Sequence, residues 1–439
     1  MKALRAVVPP ECLVLPDSPE YERARLVYNR MHDVRPAALV RSLDPAVLHA
    51  AITAAEGVPL AVRGGGHHVG GFSTVRDGVV LDFSPFRAVE YDPATELVRV
   101  RPGARLGDVD TALAAHGRCL PSGTVSDTGL TGLTLGGGIG WLVAGHGLTC
   151  DHLHSAEVLL ADGRVIRASA HGHTALFTAL RGGGVGAFGV VLSLRYRTIP
   201  LPRITAGSVR FPLSEAANVL ARLQVLLAEH TPTAVTFAPV LTGQGLSVDL
   251  CDSGAGPDVD RFRALGGDWS DVRERPYTEW QRELDHAFLP PMRGYWKSSQ
   301  FPHLDVDPSL LVAAIAAAPS GRCSILVEYY NPDTLRAHAA GSAFPLRDSR
   351  TGVLFCARWP DPVDDTAHVR WARRWAAELG AGTGSYSNYA QDTDRVRPGF
   401  TPDTLAAFHA LEAAYDPDRL FAVGHRAALV AVSRTRRNE

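Results

Sequence analysis

Short runs of apolar and β-branched residues alternate with glycine-rich connections between about residues 34 and 200, at 60–63, 78–83, 97–101, 157–161 and 189–198. Runs this short, bounded by turn residues, predict strands. Helical stretches lie between them at 45–56, where Asp44 is placed to cap the first turn, and at 106–116. Residues 157–167 read as a β-hairpin, because Asp162-Gly163 supplies the positive φ that a tight turn demands. The alternation predicts an α/β lobe. Beyond Pro200-Leu201-Pro202 the texture changes to longer helices, at 214–229, 310–318 and 366–379, with strands around 207–211, 324–330 and 353–359. A second lobe is expected there, followed by a last helix at 402–415.

At 439 residues, 46% of them hydrophobic, the chain can bury a large core, and the usual span of about 100–200 residues per domain implies two or three lobes. A formal net charge of −2, spread along the sequence, argues against nucleic acid as a partner. The longest apolar run, 310–318, is about half the length of a membrane span. The first ten residues lack the apolar stretch of a secretory signal, so a cytoplasmic protein without a membrane partner is expected. Cys12, Cys119, Cys150, Cys251, Cys323 and Cys356 form no C-x-x-C pair, which predicts reduced, mostly buried thiols rather than a zinc site or a disulfide framework.

Candidate chemistry lies in the glycine clusters. Arg63-Gly64-Gly65-Gly66-His67-His68 follows a predicted strand, and a second cluster runs from Gly129 to Gly140. Consecutive glycines let backbone amides turn toward an anion, so both loops suit a pyrophosphate; either alone could equally be a tight turn. A third cluster, Gly184 to Gly189, matches G-x-G-x-x-G in reversed context. A helix is predicted before it, a strand after it, and no acidic residue appears until Glu215. A dinucleotide fingerprint needs the opposite order, which excludes an NAD site there. Adjacent His67 and His68 would point to opposite sides of an extended loop, so no metal is assigned to them.

Five ordered motifs make the chain resemble the berberine-bridge-enzyme-like oxidases, in their bacterial form, within the p-cresol methylhydroxylase and vanillyl-alcohol oxidase superfamily. They are R-G-G-G-H at 63–67, G-T-V-S-x-T-G-x-x-G-L-T-L-G-G-G-x-G-W-L at 123–142, Leu180-Arg181-Gly182-Gly183-Gly184, Gly294-Tyr295-Trp296-Lys297-Ser298, and Tyr386-Ser387-Asn388-Tyr389. The resemblance spans nearly the whole length. It implies an α+β, two-lobed FAD-binding fold in which 1–203, completed by 391–439, binds FAD and 204–390 forms an antiparallel sheet roofing the flavin. It further implies that His67 is bonded to the flavin 8α-methyl. Around the cofactor it places Arg63, Gly64, Gly65, Gly66, His68, Ser122, Gly123, Thr124, Gly129, Gly132, Thr134, Gly136, Gly137, Gly138, Gly140, Val191 and Asn388.

Some members of that family carry a second, cysteinyl flavin bond; here Val125 takes the cysteine's place and Cys119 lies six residues too early, so one histidyl attachment is expected. The second tyrosine of Y-x-N-Y, Tyr389, maps to the catalytic base, with Tyr386 as the second candidate. A phenol of ordinary pKa near ~10 must be lowered by its surroundings for that role; the alternative is a packed aromatic with its hydroxyl satisfied. The pattern is broken by Ala187 in an asparagine's place and by Asp416-Pro417-Asp418-Arg419-Leu420-Phe421 where the family has D-P-x-N-x-F. The implied reaction oxidises an alcohol, amine or activated C–H of a secondary metabolite or sugar, with O2 returning the flavin to its oxidised form as H2O2 forms. Thr128 falls where relatives gate oxygen. A flavin dehydrogenase using another acceptor, and a redox-neutral cyclase or binding protein that keeps the flavin, remain as alternatives.

Overall fold

The computed structural model of the protein describes residues 2–184, 188–254, 258–289, 292–380, 382–391 and 399–421. The fold is α+β. Strands Leu13–Val14, Ala38–Val40, Val79–Asp82 and Leu60–Arg63 lie side by side in that order, parallel except for the first pair. Their buried apolar residues pack on the helix Pro45–Ala54, which starts where the sequence places it: the Asp44 carboxylate accepts from the Ala46 N–H at 2.8 Å, and Pro45 gives up no hydrogen bond at the first position. A five-stranded antiparallel sheet follows, ordered Val89–Asp92, Leu97–Val100, Val190–Arg197, Leu153–Leu159 and Val165–Ser169. The last two form the expected hairpin, with Gly163 at φ +87°.

The third main sheet draws its strands from residues 203–359. Its order is Arg273–Pro276, Arg203–Phe211, Gly245–Asp252, Val235–Thr242, Ser324–Tyr329, Thr351–Trp359 and Arg293–Phe301, all antiparallel. Helices Ala216–Glu229, Pro308–Ala316 and Asp365–Leu379 cover one face, burying Leu220, Leu223, Leu311, Ile315 and Trp371 against Phe237, Ile325, Val327 and Phe355. Each such side chain contributes about 1.5–3 kcal/mol, and Trp371→Ala is the change that would open this core, at about 3–5 kcal/mol. The other face carries three cross-strand rows: Trp296–Cys356–Ser324, Ser298–Leu354–Leu326 and Gln300–Gly352–Glu328.

The strand Val235–Thr242 was not legible in the sequence, because Pro239 lacks the N–H a central strand needs. The structure accommodates it by pairing this strand with Ser324–Tyr329 at Phe237, Val240 and Leu241 only, leaving the ladder open at Pro239. The reversed third glycine cluster lies, as expected, between helix Thr174–Leu180 and strand Val190–Arg197, though Ala187 is outside the described residues. All six cysteines are unpaired thiols, and all but Cys12 are buried. Among the described residues no helix is long and apolar enough to cross a membrane.

Candidate active site

Both glycine loops meet over one deep cavity. Gly64 to His68 line it from the first loop, Gly123, Thr124, Gly129 and Gly132 from the second, and Val191 from its strand; Tyr386, Asn388 and Tyr389 line it as well. The loops pack backbone against backbone: a Cβ on Gly65 would stand 2.5 Å from the Gly129 Cα, so neither position tolerates a side chain. Val125 and Thr128 also line the cavity. Asp416 turns the chain beyond helix Pro402–Tyr415 by accepting from the Leu420 and Phe421 N–H groups at 2.8 and 3.1 Å, which brings both residues to the cavity wall.

The remaining residues expected at the cofactor stand behind that wall. The Arg63 guanidinium donates to the carbonyls of Ala24, Arg25 and Ser73. Thr134 Oγ1 bonds the Leu130 carbonyl and the Tyr196 hydroxyl. Gly138 N–H donates to the Tyr386 hydroxyl at 2.9 Å; Gly137 lies against Phe344, Gly140 against the Ser122 carbonyl, and Gly136 against Asn388. Ser122 Oγ accepts from Gln281. Cys119 is buried on its strand, its thiol pushed up to about 12 by burial, and does not line the cavity.

His67 and His68 diverge. The Gly70 N–H donates to His68 Nδ1 at 3.0 Å, which leaves Nε2 as the protonated nitrogen facing the Ser387 carbonyl at 3.1 Å. This ties the first loop to the 386–389 segment. His67 stacks on Tyr28 with ring centroids 4.0 Å apart, and its Nε2 is buried with no hydrogen-bond partner among the described residues. Burial, then the charge of Arg105, holds its imidazole down at about 4. It is therefore neutral.

In the neighbouring 386–389 segment Tyr389 donates to Glu328 Oε1 at 3.1 Å, while Tyr330 donates to Oε2 at 2.7 Å. Burial pushes Glu328 up to about 7. The expectation that the surroundings lower the Tyr389 phenol is corrected here: burial first, then the Glu328 charge, raises it well above the ordinary tyrosine value. Tyr386 is raised too, chiefly by burial, and its oxygen already accepts from Gly138 and from Asn388 Nδ2 at 2.8 Å. Glu328 was missed in the sequence. The one signal was an acidic residue in the strand Ser-Ile-Leu-Val-Glu-Tyr, at an alternate position of a run buried on both faces.

A second missed group is a clamp. Gln281 Nε2 donates to the Gly123 carbonyl at 2.6 Å and to Ser122 Oγ at 3.0 Å; Asp285 accepts from the Ser126 N–H at 2.7 Å. Together they fix the cavity-lining stretch 123–128 from outside, and Leu284 and Phe288, on the same segment, reach the cavity itself.

Residues 36–169 match a family model described as FAD binding domain. The FAD-linked oxidoreductase OXR1 of Pyricularia oryzae is 30% identical over 413 residues, covering 84% of this chain and 79% of that one. The (R)-6-hydroxynicotine oxidase of Paenarthrobacter nicotinovorans is 27% identical over 443 residues, covering 93% and 94%. The structure of BBE-like 1 from Physcomitrella patens superposes with a TM-score of 0.83 at 22% identity, covering 96% of this chain and 97% of that one. A cavity between two glycine loops under an antiparallel roof thus defines a flavin-dependent oxidoreductase. The chain belongs to the FAD-linked oxidoreductases, and its fold is that of the berberine-bridge-enzyme-like structure. The residues present fit FAD: His67, neutral and with a buried Nε2 that has no partner among the described residues, lines the same cavity as the open glycine cradle.

Proposed function

We propose that the enzyme is an oxidase of a small-molecule alcohol or amine, with FAD bonded once, through His67, and dioxygen as the final acceptor. In this reading 1–203 and 391–439 hold the cofactor and 204–390 roof it. The observation that carries the reading is the Tyr389–Glu328 hydrogen bond at the wall of the cavity that His67 faces. Held beside His67 and the glycine loops, FAD would supply the hydride acceptor for the substrate C–H bond and the route for the electron pair to dioxygen. The protein's own residues handle the proton. As the substrate hydroxyl gives its proton to the Tyr389 oxygen, the phenolic proton moves to Glu328 Oε1, and Tyr330 keeps the carboxylate in place. Tyr389 then never exists as a free phenolate, which reconciles its raised pKa with its position. The alcohol, having lost a hydride from carbon and a proton from oxygen, becomes a carbonyl compound, and O2 with the hydride and one proton becomes H2O2. A carboxyl near 7 is matched to this task at neutral pH.

For attachment, the lone pair of neutral His67 Nε2 is the nucleophilic form. Val125 and the buried Cys119 supply no second thiol at the cavity. The test is anaerobic bleaching of the flavin by substrate, with recovery in air accompanied by one equivalent of H2O2. Tyr389→Phe should slow bleaching by about 10²–10⁴-fold, the usual worth of a positioned proton acceptor, with flavin content unchanged. Recovery only with an artificial acceptor would identify a dehydrogenase instead.

A further inference from the structure

Among the described residues between 204 and 390, the cavity wall is formed by the 386–389 segment and five side chains: Leu284, Phe288, Trp296, Leu326 and Leu354. All five are apolar or aromatic, and the Trp296 indole N–H is their one hydrogen-bonding group. Among the described residues no Lys, Arg, Asp or Glu lines the cavity. Arg358 stacks over the Phe288 ring at 4.8 Å rather than entering the wall. The polar groups of Tyr386, Asn388 and His68 are already engaged. The Tyr386 oxygen accepts twice, the Asn388 amide donates to Tyr386 and the Leu133 carbonyl, and both His68 nitrogens are bonded.

Resting on the oxidase reading above, we infer that the substrate is a predominantly apolar, ring-bearing alcohol or amine, not a carbohydrate or a phosphorylated metabolite, and that Phe288, Trp296, Leu326 and Leu354 select it. Each sugar hydroxyl buried without a partner costs about five- to a hundredfold in affinity, and this wall offers almost no partners. An anionic group would enter with no cation among the described lining residues to pair it. A flat ring, in contrast, meets an aromatic corner. Trp296 stands edge-on to Phe288 at 5.9 Å and to Tyr389 at 5.8 Å, at interplanar angles of 77° and 76°.

The sheet register sets where the reactive carbon falls. Leu326 and Leu354 are cross-strand neighbours, with Trp296 one row to one side and Glu328 one row to the other. Successive same-face rows are about 6.5–7 Å apart. A ring resting on the leucine pair and Trp296 therefore carries a carbon attached directly to it toward the Tyr389–Glu328 pair, which favours oxidation at a benzylic-type position.

The test uses the flavin-loaded enzyme under nitrogen, with 1-phenylethanol, 1-phenylethylamine, cellobiose and glucose 6-phosphate as probes. Binding is read by calorimetry and by the shift of the flavin spectrum, separately from bleaching. The aromatic probes should bind at least about tenfold more tightly than either sugar, and Phe288→Ala and Trp296→Ala should each weaken them by about tenfold. Phe288 is only half buried, so its variant keeps the test valid if Trp296→Ala fails to fold. Cellobiose binding as tightly as the aromatic probes, aromatic affinity within about twofold of wild type in the folded variants, or no aromatic binding at about ten millimolar would each overturn the assignment. If cellobiose reduces the flavin through Tyr389, the selectivity fails and the oxidase reading stands. If aromatic probes bind selectively while no compound reduces the flavin, the oxidase reading fails and the selectivity stands.

Discussion

Replacing Glu328 by Gln keeps the size of the side chain and one acceptor oxygen for the two phenols, the amide NH2 facing the other as a donor, but removes its capacity to take a proton. Two effects of opposite sign follow. If Glu328 is the proton's destination, flavin reduction in Glu328→Gln slows by about 10²–10⁴-fold, roughly 3–5 kcal/mol of barrier. Stability moves the other way. Burial raises the carboxyl from its ordinary 4.5 to about 7, so the folded state holds an extra proton between those values. The group's contribution is fully present below pH 4.5 and is lost as pH rises through 7. The span corresponds to about 3 kcal/mol as an upper bound, at roughly 1.4 kcal/mol per decade of proton affinity. At pH 8 the Gln variant should therefore melt a few degrees higher than wild type, and near pH 4 the two should melt together. The assays are anaerobic stopped-flow reduction from pH 5 to 9 and thermal melts at pH 4 and 8. Wild type should accelerate as pH rises through about 7, and the variant should be slow and flat. A variant reducing its flavin within about threefold of wild type, or one keeping the same pH step, would refute the relay.

In wild type, acid precipitation should leave the yellow colour on the protein and digestion should yield one flavinylated peptide, containing His67; His67→Ala should release the flavin to the supernatant, and a cysteine-linked peptide would contradict single attachment. Asp285→Ala removes the acceptor of the Ser126 N–H and should cost about 1–3 kcal/mol, with a shifted flavin spectrum; a lower melting temperature with an unchanged spectrum would make the clamp purely structural. Gly136→Ala sets a Cβ 2.0 Å from Asn388 Oδ1, so it should displace Asn388 and destabilise by about 1–3 kcal/mol, checked by thermal melting and by the rate of flavin reduction.

What the sequence determined by itself is local. The Asp44 and Pro45 helix start, the Asp162-Gly163 hairpin, and the helix Pro402–Tyr415 depend on groups within a few residues of one another, and each forms where the sequence places it. The close approach of the two glycine loops was equally legible, because it admits only glycine at Gly65 and Gly129. Tertiary structure alone decided which acid meets Tyr389. Glu328 lies 61 positions away, on a strand buried on both faces, where alternation cannot say which side chains face the cavity. It also decided the direction of the Tyr389 pKa, since burial and a neighbouring carboxylate are properties of the packed sheet and not of the Y-x-N-Y motif. The clamp from Gln281 and Asp285 to residues 122–126 is of the same kind, formed by contacts about 160 residues apart that no local pattern encodes.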